Sequence, residues 1–121
     1  MTAETDLDRR TRDTIDRFNV AFNQHDVEAI MRLMTDDCVF EDTQPAPDGT
    51  RYVGQAAVRE RWLALFKDAP HAVFETEELF VSGDRAVARW RYDWGSGHVR
   101  GVDVFRVRDG QVAEKRSYVK G

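Results

Sequence analysis

From Leu7 to Phe22 the apolar or small positions Leu7, Thr11, Thr14, Ile15, Phe18, Ala21 and Phe22 recur at intervals of three and four. That is the spacing of one helix face, and it predicts a long first helix. Asn23-Gln24-His25-Asp26 interrupts the pattern. Asp26 suits the cap of a second start, and Val27, Ile30, Met31 and Met34 predict a short second helix ending near Thr35. Cys38-Val39-Phe40-Glu41-Asp42 is a short β-prone run, and the following loop carries Pro45, Pro47 and Asp48-Gly49, so Asp42 falls where a strand runs out. Gly54 opens a third helix with Val58, Trp62, Leu65 and Phe66 on one face. Ala69-Pro70 ends it, because proline disfavours helical geometry in the residue before it. Beyond Pro70, the turn signals Ser82-Gly83-Asp84, Gly95-Ser96-Gly97 and Arg108-Asp109-Gly110 separate four β-rich runs at hairpin spacing. Neighbouring runs are therefore expected to pair antiparallel.

Three helices followed mainly by an antiparallel sheet make an α+β domain. Each helix has one apolar stripe, so the helices are expected on one face of the sheet, and strong curvature of that sheet leaves a cavity beneath them. A chain of 121 residues holds one domain over 1–121, with residues 1–6 expected as a flexible N-terminus.

Composition narrows the classes of partner. The formal charge of -4 mixes both signs along the chain without a basic stretch for phosphates or an anionic surface, which argues against nucleic acid and membrane. No apolar run approaches the ~20 residues a membrane helix needs, and the polar segment Met1–Arg12 is unlike a secretory signal, so a cytoplasmic location is expected. The single cysteine, Cys38, rules out an intrachain disulfide or a cysteine-based zinc site and is expected to be a small buried apolar residue. His25, His71 and His98 lie at no metal-ligand spacing and are expected at the surface, so no metal site is predicted. Neither a Gly-rich phosphate loop nor a Gly-x-Ser-x-Gly elbow occurs, which leaves proton transfer or plain binding.

Asn23-Gln24-His25-Asp26, Asp37-Cys38-Val39-Phe40-Glu41-Asp42, Gly54-Gln55-Ala56-Ala57-Val58 and the run from Val102 to Val112, in this order of elements, resemble the SnoaL-like and ketosteroid isomerase-like families of the nuclear transport factor 2-like superfamily. The resemblance covers nearly the whole chain and implies a cone-shaped fold with a curved sheet. The superfamily includes isomerases, cyclases, dehydratases, epoxide hydrolases and binding domains, so the likeness speaks to fold more than to one reaction. It implies Asp42 at the general-base position and Asp103 at that of a protonated, hydrogen-bond-donating aspartic acid. The matching helix-one tyrosine is Phe18 here, which has no hydroxyl to donate. Limonene epoxide hydrolases are similar at Arg116 and Tyr118, but Ser117 stands at their catalytic aspartate, which argues against that chemistry.

Period-two geometry tests these assignments. Asp42 shares its strand face with Cys38 and Phe40, and Asp103 shares one with Gly101 and Phe105. A carboxyl among apolar neighbours needs a partner or a proton. Asp103 is either neutral and a donor to an enolate oxygen, or ionised and paired with Lys115, which then becomes the electrophile; the two readings exclude each other. For Asp42 the plainer alternative is a carboxylate that accepts N–H groups of the Thr43 to Gly49 turn. Trp90 and Tyr92, with Phe18, Phe22, Trp62, Phe105 and Ser117, are expected to contact a hydrophobic small-molecule ligand, although aromatics at these spacings also make ordinary core.

The expected function is cofactor-free proton transfer next to a carbonyl, with Asp42 as base and Asp103 or Lys115 stabilising the oxyanion. The alternatives are a non-catalytic binding domain and an association module with a filled core. The face with Arg89, Arg91, Val102, Val104 and Arg106 mixes charge and aliphatic groups and suggests a homodimer through the outer sheet face.

Overall fold

The computed structural model describes residues 4–121. Helix α1 spans Asp6–Asn23 and opens on a reciprocal cap: Thr5 Oγ1 accepts the Asp8 N–H at 3.0 Å while Asp8 Oδ2 accepts the Thr5 N–H at 2.9 Å. Within the segment expected as a flexible N-terminus, that cap ties down Thr5, and Asp6 is already helical. Residues 1–3 lie outside the described residues. The face predicted from spacing is the one that α1 buries, through Thr11, Thr14, Ile15, Phe18, Ala21 and Phe22, except at its first position, Leu7, which is exposed.

Helix α2, Val27–Arg32, starts on Asp26, whose carboxylate accepts the Ala29 N–H at 3.1 Å. It ends earlier than the spacing predicts, because Met34 and Thr35 belong to strand β1, Met34–Glu41. Sheet pairing wins over helix propensity here: Met34 pairs with Val112, and the Val112 N–H donates to the Leu33 carbonyl at 2.6 Å. The carbonyls of this junction are taken by side-chain amides, with Gln55 Nε2 donating to Met31, Met34 and Thr35 and Gln111 Nε2 to Arg32 and Met34.

A three-residue strand β2, Arg51–Val53, precedes helix α3, Gln55–Asp68, and then come β3 (Val73–Ser82), β4 (Arg85–Asp93), β5 (His98–Arg108) and β6 (Gln111–Val119). The six-stranded sheet has the order β2-β1-β6-β5-β4-β3. The four C-terminal strands form an antiparallel meander at the predicted turns, and β1 joins its last strand in parallel, so the sheet is mixed. Val58 and Trp62 of α3 are fully buried with the stripe of α1.

Register decides which side chains meet. Phe40 and Phe105 both stand opposite Lys115, Asp103 lies between Ser117 and Ala88, and Gly101 faces Trp90. A Cβ at Gly101 would come within 2.6 Å of the Trp90 ring and 2.2 Å of the Tyr118 carbonyl, so only glycine lets the indole lie across β5. Cys38 is buried as expected, which pushes its thiol up to about 11. His71 and His98 are exposed, whereas His25 is half-buried, stacked on Phe66 at 4.3 Å with Nε2 3.0 Å from the Ala72 carbonyl oxygen. No described helix is long and apolar enough to cross a membrane.

Candidate functional site

Inward-facing positions on β5 and β6 build a closed polar triangle. Lys115 Nζ lies 3.2 Å from Asp103 Oδ2, Ser117 Oγ donates to Asp103 Oδ1 at 2.6 Å, and Lys115 Nζ donates to Ser117 Oγ at 3.1 Å. Asp103 and Lys115 are each only 5% exposed. Ionic groups this deep require mutual compensation, and two donors converge on Asp103 to provide it. The ammonium also lies over three rings, 4.8 Å from the centre of Phe40, 5.3 Å from Phe22 and 5.4 Å from Trp62. Cation–π attraction adds to the pairing and holds Nζ against an aromatic wall.

Asp42, just beyond β1, is 8% exposed. Its Oδ1 accepts the Thr43 N–H at 2.7 Å and, less closely, the Gln44 N–H at 3.4 Å. Its Oδ2 accepts from Arg61 Nε at 2.5 Å. The loop returns to the strand through the Asp42 N–H, which donates to Thr50 at 2.9 Å. Gly49 permits this closure: its φ is +75°, and a Cβ there would lie 1.7 Å from the Asp42 carbonyl oxygen. Asp42 is thus both a turn-binding carboxylate and an inward-facing one.

A cavity of about 250 Å³ joins these groups. Phe22, Phe40, Trp62, Phe74, Trp90 and Tyr92 supply its aromatic walls, and Asp42, Arg61, Lys115 and Ser117 supply its polar groups. Trp94 and Val119 form exposed parts of its rim. Burial pushes the Tyr92 phenol up, and the nearby Arg61 charge partly opposes that shift.

Of the residues expected to contact a ligand, Phe22, Trp62, Trp90, Tyr92 and Ser117 line the cavity, as do Asp42 and Lys115. Phe18 and Phe105 do not. Both are 0% exposed and pack edge to face at 5.8 Å, so they are core beneath the site rather than its wall. Asp103 stands behind Lys115 and Ser117 and does not line the cavity itself.

Arg61, Phe40 and Phe74 are wall residues that sequence reasoning did not single out. Arg61 had a signal: it lies three residues after Val58, one before Trp62 and four before Leu65, a lone charge on the edge of an apolar stripe. Among the described residues, no cluster of His, Cys, Asp and Glu is arranged to hold a metal ion.

A family model for the SnoaL-like domain matches residues 15–115. No curated protein matches the chain. Among solved structures, an NTF2-like protein of unknown function from Mesorhizobium loti is 43% identical, with 98% of this chain and 98% of that chain covered and a TM-score of 0.87. A candidate polyketide cyclase from Sinorhizobium meliloti is 27% identical over 88% of this chain and 94% of that one, with a TM-score of 0.77. A candidate ketosteroid isomerase from Kribbella flavida shares the fold at 21% identity, covering 98% and 83% of the two chains with a TM-score of 0.82.

Proposed function

The chain belongs to the SnoaL-like domain family, and on that premise we propose that it binds a hydrophobic ring compound and moves a proton next to its carbonyl without a cofactor. The observation that carries this reading is the Lys115 ammonium held on the wall of an aromatic cavity that also contains Asp42. The substrate carbonyl oxygen accepts a hydrogen bond from Lys115, whose charge stabilises the enolate that forms. Asp42 Oδ2 takes the α-proton and returns it to the same or another carbon. One ammonium hydrogen is engaged by Ser117 and Asp103 serves as the counter-ion at 3.2 Å, so the ammonium keeps donor capacity for the substrate. Asp103, ionised, keeps the pair neutral overall and holds Lys115 in place.

The cavity lies just below the range of about 300–1,000 Å³ usual for drug-sized ligands, which favours a compound of one or two rings. Asp42 can act only after its Oδ2 exchanges the Arg61 N–H for the substrate C–H.

Non-catalytic binding is the second reading. It draws on Phe18, which has no hydroxyl at the family tyrosine position, and on the hydrogen bonds that engage both Asp42 oxygens. On either reading we place a homodimer contact on the outer sheet face. Half-buried Val87, Val102 and Val104 lie together there among ion pairs such as Arg106–Glu114 and Arg116–Glu41.

The pocket itself is tested by thermal shift with acetophenone and 1-tetralone, since a ligand of the native state alone raises the melting temperature. A rise that Trp90→Ala abolishes supports the pocket. No rise with any ring ketone overturns it.

A further inference from the structure

Arg61 uses only part of its guanidinium. Nε donates to Asp42 Oδ2, whereas both Nη groups have no acceptor among the described residues. The planar fork carries five N–H donors, so four remain on the two Nη groups, and one from each forms the edge that suits a carboxylate bidentately. The Arg61 side chain is 20% exposed and lines the cavity, so a ligand can reach that edge. Asp42 cannot take it over, because its other oxygen is held by the Thr43 and Gln44 N–H groups.

The two cations of the cavity differ in what they suit. Lys115 is buried with Asp103 in a closed pair, and a carboxylate entering from solvent beside it would add net buried charge, whereas an enolate formed there only takes over the charge that Asp42 gives up. Arg61 keeps some contact with solvent, where an added carboxylate costs less desolvation. The positions are also separated along the sheet. Phe40 pairs with Lys115, and Asp42 lies two residues further along the chain, just beyond the end of β1, about 7 Å at strand rise.

Resting on the pocket reading above, we infer that Arg61 is a specificity-determining residue for an acidic substituent, so that the preferred ligand is a ring compound with a carbonyl at one end and a carboxylate at the other. The carbonyl faces Lys115 and the carboxylate meets the free edge of Arg61. Lysine at position 61 supplies charge but not the fork, and glutamine supplies neither.

The test compares 4-acetylbenzoate, methyl 4-acetylbenzoate and acetophenone by calorimetric titration of the full chain. The acid and its ester share one ring and one acetyl group and differ at the far end in charge and one methyl group, while acetophenone lacks the substituent altogether. The acid is expected to bind about tenfold more tightly than the ester, and high salt narrows the gap. Arg61→Gln is expected to bring the acid and the ester to the same affinity, whatever its effect on both, and Arg61→Lys to keep part of the preference. A change in fold would alter both ligands alike, and the comparison in the wild-type protein requires no variant. Equal binding of acid and ester, or a preference that survives Arg61→Gln, overturns the inference while leaving the pocket reading intact. Failure of all three compounds to bind overturns both.

Discussion

Lys115 on β6 and Asp103 on β5 form a buried pair at 3.2 Å, bridged by the hydroxyl of Ser117. Phe105 faces Lys115 and Asp103 faces Ser117 across one antiparallel ladder, so the pair is a diagonal contact on the inner face. Two groups this deep depend on each other as well as on Ser117 and the aromatic wall, and that interdependence is measurable. Lys115→Met or Asp103→Asn alone is expected to cost about 3–5 kcal/mol in urea denaturation, since each leaves a buried group without its partner. The double variant is expected to lose less than the sum of the two. Additive losses would show that the two residues act independently.

The free thiol offers a second check. Burial pushes Cys38 up to about 11, so at pH 8 it is both protonated and shielded. The folded protein is expected to leave a disulfide reagent such as dithiobis(nitrobenzoate) unconsumed over minutes, with one equivalent reacting once denaturant is added.

Gly49 ties backbone conformation to the site. Its φ is +75°, and a Cβ there would stand 1.7 Å from the Asp42 carbonyl oxygen, so there is no room for a side chain. Gly49→Ala is expected to destabilise the fold by about 1–3 kcal/mol and to weaken binding of ring ketones, because the loop that carries Asp42 must shift. An unchanged melting curve together with unchanged binding would contradict this.

Asp8 couples the first helix to the β3–β4 turn, and its effect depends on pH. Its carboxylate accepts N–H groups of Thr5 and Gly83, which lower its pKa from the ordinary 3.8. A depressed folded pKa adds stability that is present above the unfolded pKa and is lost as pH falls through the folded one. The melting-temperature difference between wild type and Asp8→Asn is therefore expected to be full at neutral pH and to shrink below about pH 4. A difference that grows towards acid would reverse the assigned sign.

Much of this architecture was legible because it rests on period. The stripe of α1, the face of Val58 and Trp62, and the inward positions Asp42, Asp103 and Lys115 all follow from spacings of 3.6 or 2. The end of α2 was not legible. Met34 fits the helical spacing and a buried strand position equally, and only the pairing with Val112 decides between them. Strand β2 is three residues long, too short for a pattern to register. Phe18 and Phe105 show a different limit: periodicity gives the face a residue points to but not its depth, so core and cavity wall read alike. Arg61 contacts Asp42 across 19 residues and two elements, a pairing that local spacing does not encode.

On the proposed function, Asp42 and Lys115 together enolise a bound ring ketone. The most direct test of that function is deuterium uptake at the α-carbon of 1-tetralone in D2O, followed by proton NMR with wild type, Asp42→Asn and Lys115→Met. Wild type is expected to accelerate exchange well above buffer. Asp42→Asn is predicted to lose the acceleration by about a hundredfold or more while still binding the ketone, and Lys115→Met to lose it as well. Binding by wild type without faster exchange, or exchange that Asp42→Asn leaves intact, would contradict the proposed function.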